Sequence, residues 1–199
     1  MKKATVTCLA LIGLVLVPIF FFNSFSEVQS KADSWPMFHH DLERTGYSET
    51  TAPSNNQTLW KFNTGGQVGS PTVVNGVVYV GSYDHKIYAF NASTGKLLWN
   101  YTTGDMIITS SPAVSNGKVF IGSMDGKVYA LNASTGIPTW NHTTGNIVIS
   151  SPTVTNALVY VGSYDNKVYV LNQANGAEVW NFSTGGEVSS SPAIANGIV

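Results

Sequence analysis

The chain repeats itself with a period of about forty residues, and this repeat limits its possible folds more than any other feature. Three independent markers share the period. They are the Ser-Pro pairs ending at Pro71, Pro112, Pro152 and Pro192, the Gly-Ser pairs starting at Gly81, Gly122 and Gly162, and the tryptophans Trp60, Trp99, Trp140 and Trp180. From proline to the next tryptophan the interval is 28 residues in all three units, whereas the return interval varies between 11 and 13. Units of constant length joined by variable linkers are typical of packed modules.

Each unit predicts four β-strands. In the first unit they cover residues 71–74, 77–82, 86–91 and 96–101. Asn75-Gly76 is a strong signal for a tight hairpin, and the segment from Lys86 to Asn91 alternates in the way a strand requires. The second and third units repeat this order, and no stretch after Asp33 has a helical period.

The composition agrees with strands and tight turns. Charged residues make up 11% of the chain, well below the roughly 25% of an average soluble domain, and there are 19 glycines. The formal net charge is -1, which gives no basic footprint for nucleic acid.

The N-terminus is predicted to direct export. Lys2 and Lys3 precede an uncharged run over residues 4–22, which lies between the length of a signal-peptide core and that of a membrane span. Residues 1–32 are therefore expected to be a cleaved signal peptide, ending at Ala32, or a retained hydrophobic anchor helix. Either alternative places residues 33–199 outside the cytoplasm. The single cysteine, Cys8, lies inside the apolar run, so the exported part has no disulfide.

Four antiparallel strands repeated every forty residues predict an all-β propeller of four-stranded blades. A β-sandwich of irregular topology would not explain the constant interval. We expect three whole modules, over residues 71–99, 112–140 and 152–180, and a truncated one from residue 191. Because the ring cannot close with these blades, the 199 residues are expected to be a fragment of a longer protein.

The repeat resembles the pyrroloquinoline-quinone-type (PQQ-type) propeller repeat. The resemblance rests on residues 79–84 (YVGSYD), 86–89 (KIYA), 91–95 (NASTG) and Trp99, and it recurs over 120–140 and 160–180. Residues 35–41 (WPMFHHD) and 45–48 (TGYS) are similar to the lead-in segment of the same family.

This resemblance implies a blade-docking role for one set of residues. In such propellers the tryptophan packs between adjacent blades, and the turn before it accepts hydrogen bonds. The residues at these positions are Trp60, Trp99, Trp140, Trp180, Ala89, Ala130, Gly95, Gly136 and Gly176. In the third unit Val170 replaces the alanine and Asn175 the threonine, so looser packing is expected there.

The resemblance covers quinone-dependent dehydrogenases as well as non-catalytic members such as the outer-membrane assembly lipoprotein. The dehydrogenases hold a quinone and a calcium ion on the central axis, with an aspartate as base. Asp84, Asp125 and Asp165 recur in equivalent turns, whereas a catalytic base is expected once. No catalytic, cofactor-binding or metal-binding residue is therefore predicted.

Two further groups of residues are candidate sites. His39, His40 and Asp41 are adjacent, and on an extended chain they would point to opposite sides, which makes them poor joint ligands for a metal. Six asparagines lie in Asn-x-Ser/Thr sequons and are candidates for N-glycosylation: Asn56, Asn91, Asn100, Asn132, Asn141 and Asn181.

The sequence favours a non-enzymatic propeller scaffold on the cell exterior that binds a protein, a glycan or another envelope component. Tyr83, Tyr164 and His142, expected in turns and linkers, suit an adaptable contact surface. The alternatives are the N-terminal part of a quinoprotein dehydrogenase and a surface-layer or adhesion protein. The membrane would be a partner only through an uncleaved N-terminal segment, and nucleic acid is not expected to be one.

Overall fold

The computed structural model describes residues 34–48 and 55–199, which contain twelve β-strands and no helix. The strands are β1 (Thr72–Val74), β2 (Val77–Gly81), β3 (Lys86–Asn91), β4 (Leu97–Thr102), β5 (Ala113–Ser115), β6 (Lys118–Gly122), β7 (Lys127–Asn132), β8 (Pro138–Thr143), β9 (Thr153–Val154), β10 (Leu158–Ser163), β11 (Lys167–Asn172) and β12 (Glu178–Ser183). In this described part, no helix has the length and apolar character needed to cross a membrane. The predicted signal or anchor over residues 1–32 lies outside the described residues.

The strands form three antiparallel sheets of four consecutive strands each, which we call the first blade (β1–β4), the second blade (β5–β8) and the third blade (β9–β12). The innermost strands β1, β5 and β9 are neighbours in that order, so the blades are arranged around a common axis. The predicted all-β architecture of four-stranded propeller blades is confirmed.

The hairpin between the first two strands of each blade follows its local sequence. In the first blade Asn75 and Gly76 have φ values of 50° and 74°, and Asn116 and Gly117 in the second have 48° and 70°. These left-handed angles match the tight turn that Asn-Gly favours. The third blade has Ala157 at the glycine position and no positive φ in this turn, and its first strand, β9, has only two residues.

The core lies between the blades. Ile87, Ala89 and Trp99 of the first blade pack against Ile121 and Leu131 of the second. A second cluster joins the second blade, through Phe120, Ala130 and Trp140, to the third, through Val159, Val161 and Leu171. Burial of both faces of the middle sheet stabilises the blades mainly through their interfaces.

The segment from residue 34 to 48 crosses the inner strands. The backbone N–H of Trp35 donates to the carbonyl of Val73 (2.6 Å), that of Val114 donates to Pro36 (2.7 Å), and that of Ile194 donates to Leu42 (2.8 Å). Each of these bonds connects the lead-in to a different repeat. The segment therefore connects the inner strands across the blades, and Met37 is buried in the core between the second and third blades.

Arg44 strengthens this connection. Its Nε donates to the carbonyl of Pro192 (3.0 Å) and its Nη2 to the carbonyl of Ser151 (3.3 Å), and the guanidinium also contacts Phe38 O and Thr153 Oγ1. Burial lowers the pKa of Arg44 to about 10, although Asp41 opposes the shift. The side chain is therefore charged at neutral pH and links the lead-in to the third blade and the start of the fourth repeat.

Candidate interblade binding site

Three of the four repeat tryptophans, Trp60, Trp99 and Trp140, contact the glycine turn of the following repeat. A Cβ atom on Gly136 would lie 2.6 Å from Cε3 of Trp99, so only glycine fits at this contact. The indole Nε1 of Trp99 donates to the carbonyl of Ala133 (2.9 Å). Trp60 has the same relation to Gly95 and Ala92, and Trp140 to Gly176 and Gln173, with hydrogen bonds of 2.7 and 3.0 Å.

The residues that pair with the tryptophans across the sheet are buried in all three blades, whereas the tryptophans themselves differ in exposure. Ala89 and Ala130 are fully buried and pair with Trp99 and Trp140 across the sheet. In the third blade Val170 is also fully buried, and a Cβ on Gly176 would again lie 2.6 Å from Trp140. The looser packing expected from the substitutions at 170 and 175 is therefore not seen at this contact. Trp180 is 42% exposed, with the ring of Tyr160 at 6.5 Å.

The repeated aspartates form a corner that connects neighbouring repeats. Asp125 Oδ2 accepts hydrogen bonds from the backbone N–H of Gly104 (2.9 Å) and from the hydroxyl of Tyr129. Asp84 with Gly65 and Tyr88, and Asp165 with Gly145 and Tyr169, repeat the arrangement. The turn position of these aspartates was predictable from the sequence. Their bond to the tyrosine four residues later was not predicted, although the common Asp-x-x-x-Tyr spacing could have indicated it.

This corner shifts the ionisation of its members. Burial would raise the pKa of Asp84, but the hydrogen bonds from Tyr88 and Gly65 outweigh it and hold that pKa below its ordinary value. Burial, together with the hydrogen bond to the aspartate, raises the pKa of Tyr88 and of Tyr169 to about 12. The pKa of Tyr129 is raised for the same reasons. Each aspartate thus makes structural hydrogen bonds with a tyrosine of its own blade and with a glycine of the preceding linker.

A ladder of hydroxyl groups runs around the inner strands and was not predicted. Thr109 Oγ1 donates to Ile149 O (2.9 Å) and Ser110 Oγ to Ser150 O (3.0 Å). Ser111 and Ser151 each donate a backbone N–H to the serine Oγ one repeat later, both at 2.9 Å. These bonds join residues 40 positions apart, so the serines before Pro112, Pro152 and Pro192 contribute to the packing of one repeat on the next.

A groove of 510 Å³ opens between the first and second blades. The first blade contributes apolar walls, including Tyr79 and Leu98, and the second contributes polar turn residues. None of the lining residues is charged; they are Val74, Asn75, Val77, Tyr79, Leu98, Val114, Ser115, Asn116, Gly117, Ala133 and Ser134. Such a surface suits a neutral ligand with both apolar and hydrogen-bonding groups.

The matching place between the second and third blades is filled by one side chain. Gln173, the counterpart of Ala133, is 4% exposed, and its Oε1 accepts a hydrogen bond from Asn116 Nδ2 at 2.8 Å. Asn116 is itself the counterpart of Asn75 in the groove. Gln173 therefore occupies, in the second interface, the position at which Ala133 lines the groove of the first, a difference that a comparison of the repeats at this position could have indicated.

His39 and His40 lie in a turn and pack against aromatic rings. His39 and His40 have φ values of 56° and 78°, so the segment is a turn and not the extended chain assumed from the sequence. The His39 ring stacks on Phe38 at 4.1 Å, and the His40 ring lies edge-on to Trp35 at 4.7 Å. Over residues 34–48 and 55–199, no three His, Cys, Asp or Glu side chains are grouped as metal ligands.

Of the three residues proposed for a contact surface, Tyr83 and Tyr164 lie in turns, as expected. His142 lies in strand β8, not in a turn, and packs against Tyr169 with ring centroids 5.6 Å apart. His142 belongs to the strand and not to a linker because β8 continues past Trp140 to Thr143.

The six sequon asparagines fall into two structural groups and one single site. Asn91 and Asn132 end strands β3 and β7 and are half-buried, whereas Asn100, Asn141 and Asn181 lie within the outermost strands and are exposed. Asn56 is exposed in the segment before Trp60.

These blades and their tryptophan-glycine contacts define a β-propeller built from PQQ-type repeats. The chain belongs to the family described as outer membrane protein assembly factor BamB, whose model matches residues 44–108 and 104–199.

The relatives include an outer membrane protein assembly factor and proteins that are named as enzymes. BamB from Moraxella catarrhalis superposes with a TM-score of 0.62 at 20% identity, covering 69% of this chain and 47% of that one. Quinohemoprotein alcohol dehydrogenase ADHIIG from Pseudomonas putida superposes with a TM-score of 0.67 at 24% identity, covering 83% and 29%. Tetrathionate hydrolase from Acidithiobacillus ferrooxidans is 38% identical over 82 residues, 41% of this chain and 15% of the relative. The chain spans less than half the length of each of these three relatives.

Proposed function

We propose that the chain is part of a non-enzymatic propeller scaffold that acts outside the cytoplasm and binds a protein partner through the groove between its first two blades. The carrying observation is that this groove is open, whereas Gln173 fills its counterpart. In the second interface, Gln173 makes a contact with Asn116 within the chain. In the open groove the corresponding contact is not made within the chain, so a ligand can make it.

The chemistry of the groove favours a neutral peptide segment. Leu98 is 47% exposed and offers an apolar contact, while Asn75 holds the position from which Asn116 donates to Gln173 one repeat later. A partner side chain that ends in a carboxamide would make the same bond to Asn75. A glycan or another envelope component is the alternative ligand for this uncharged surface.

The location outside the cytoplasm is supported by the N-terminal sequence. Two lysines followed by an uncharged run over residues 4–22 are typical of an exported chain. Family membership is consistent with this location, since the family is described by an outer membrane assembly factor.

The alternative function is that of a quinone-dependent dehydrogenase, which the structural likeness to an alcohol dehydrogenase favours. The described residues do not fit the calcium and quinone set that this function requires. Asp84, Asp125 and Asp165 each bond a tyrosine of their own blade and a glycine of the preceding linker, and no acidic cluster occurs in the described ranges. A reconstitution assay with the quinone and a reducible dye tests this alternative, and quinone-dependent turnover would establish it.

Site-specific photo-crosslinking tests the scaffold proposal. A photoreactive amino acid is placed at Leu98 or Ser134 in the groove, and for comparison at Thr139 or Ala174, the exposed counterparts in the filled interface. We expect one saturable crosslinked partner from the groove positions in intact cells and none from the controls. Equal crosslinking at both interfaces, or none in exported protein, would overturn the groove as the binding site.

A further inference from the structure

The outermost strand of every blade carries an exposed asparagine at its centre. Asn100, Asn141 and Asn181 occupy the fourth position of β4, β8 and β12, and each pairs across the sheet with a tyrosine of the adjacent strand. Asparagine is depleted in strands because it packs poorly on a pleated surface. Its presence at the same place in three blades therefore calls for a reason other than strand stability.

The asparagines that end β3 and β7 have such a reason within the fold. Asn91 Oδ1 accepts hydrogen bonds from the backbone N–H groups of Ser93 (3.1 Å) and Thr94 (2.9 Å), and Asn132 does the same for its own turn. Asn172 keeps this role although Ala174 removes the sequon. Asparagine at this position is explained by turn formation, with or without a hydroxyl two residues later.

The asparagines of the outer strands have no comparable role. Asn100 and Asn141 make no side-chain hydrogen bond to any described residue, and Asn181 bonds only the nearby Glu178 (2.6 Å). All three keep the sequon hydroxyl, as Thr102, Thr143 and Ser183. Because side chains alternate along a strand, the asparagine and its hydroxyl lie on one face, both exposed, while the tryptophan points to the other.

We propose that Asn100, Asn141 and Asn181 are N-glycosylation sites that place one oligosaccharide on the outer strand of each blade. The inference depends on the proposed location outside the cytoplasm, where a transferase and a lipid-linked oligosaccharide donor meet the chain. In the transfer, Nδ2 of asparagine forms a bond to the anomeric carbon of the sugar as the bond from that carbon to the phosphate oxygen of the lipid breaks. The lipid phosphate leaves with the electron pair, and one Nδ2 proton passes to a base of the transferase.

The position of these sites gives the oligosaccharides a physical role. Strands β4, β8 and β12 are sheet edges with unpaired backbone groups, and such edges promote pairing between molecules. Exposed apolar side chains lie on the last of these strands, including Val179 (52%) and Phe182 (64%). A bulky hydrophilic group at the centre of each edge would block edge-to-edge association.

The experiment compares sequon variants of the full chain in a host that N-glycosylates exported proteins. Thr102→Ala, Thr143→Ala and Ser183→Ala remove the sequon, whereas Thr102→Ser, Thr143→Ser and Ser183→Thr preserve it at the same exposed positions. We expect each alanine variant to lose the mass of one oligosaccharide and each hydroxyl-preserving variant to retain it. Glycopeptide mapping should show several-fold higher occupancy at the three strand sites than at Asn91 and Asn132.

Two further measurements separate failure of this proposal from failure of the proposed location. Protease accessibility in intact cells reports export, and purified folded protein is incubated with a transferase and lipid-linked oligosaccharide to bypass export. Bare strand sites in exported protein, or modification confined to Asn91 and Asn132, would overturn the proposal. Modification of the strand sites in vitro, with no export in cells, would support the sites and contradict only the location.

Discussion

Asn116 donates a 2.8 Å hydrogen bond from Nδ2 to Oε1 of Gln173 across the interface between the second and third blades. In the preceding interface the corresponding pair is Asn75 and Ala133, and a 510 Å³ groove takes the place of the glutamine side chain. The two interfaces therefore differ at this position, with an alanine beside the groove in the first and a buried, hydrogen-bonded glutamine in the second.

Ala133→Gln should fill the groove and stabilise the protein. The new side chain would accept a hydrogen bond from Asn75, for a net gain of about 1 kcal/mol in the free energy of unfolding. Urea unfolding measures the gain, and Ala133→Met is the control because it fills the space without the bond. If the groove binds the partner, Ala133→Gln should also abolish crosslinking from Leu98. Equal stabilisation by Gln and Met would show that the carboxamide bond contributes nothing.

Gly136→Ala should be much more destabilising than Gly117→Ala. Both glycines have nearly the same left-handed backbone angle, with φ values of 71° and 70°, so alanine strains both by about 1 kcal/mol. Only at residue 136 would the new Cβ also meet a ring, 2.6 Å from Trp99, because the surroundings of Gly117 are open. Overpacking against the ring destabilises the Gly136→Ala variant by about 1–3 kcal/mol more. The difference between the unfolding free energies of the two variants, measured in urea, gives this contribution. Similar losses in both variants would contradict the docking role of the contact.

Trp140→Ala should destabilise the protein far more than Trp180→Ala. Trp140 is 9% exposed and donates to the carbonyl of Gln173, whereas Trp180 is 42% exposed. Removing a buried tryptophan costs about 3–5 kcal/mol, and the exposed one should cost about 1 kcal/mol because less apolar area is lost. Chemical unfolding of both variants gives the two values directly. A larger loss of unfolding free energy in Trp180→Ala than in Trp140→Ala would show that the burial of the tryptophan does not determine its contribution to stability.

Stability should fall as the pH rises above about 10. The pKa values of Tyr88 and Tyr169 are raised to about 12 in the folded protein, above the ordinary value of 10 that applies when the chain is unfolded. The folded state then holds protons that the unfolded state has lost, so the stabilisation is complete below pH 10 and disappears as the pH passes through 12.

Urea unfolding at pH 8, 10 and 11.5 measures this loss, and tyrosinate absorbance follows the ionisation. In the variant with both Tyr88→Phe and Tyr169→Phe, the decline between pH 10 and 11.5 should be clearly smaller than in the unsubstituted protein. An unchanged pH profile would mean that these tyrosines titrate normally in the folded state.

The strands and turns were predictable because they depend on neighbouring residues. The alternation over residues 86–91 predicts strand β3, because strand periodicity is a property of consecutive residues. The pair Asn75-Gly76 predicts the hairpin before β2, because both residues readily adopt the left-handed turn angles. The third blade illustrates the same rule, because Ala157 in place of glycine accompanies a different turn and a shorter first strand.

The contacts between blades could be reached only from the tertiary structure. The hydroxyl ladder joins residues 40 positions apart, and the tyrosine-aspartate corner bonds a glycine of the preceding linker. The groove lies where two sheets meet and is lined by the short side chain of Ala133, whereas the corresponding residue in the next interface is the longer Gln173. Local sequence patterns decide how each strand and turn forms, but the distances between blades follow from packing many side chains at once. For that reason the repeat determined the class of fold, and the three-dimensional arrangement decided which interface is open.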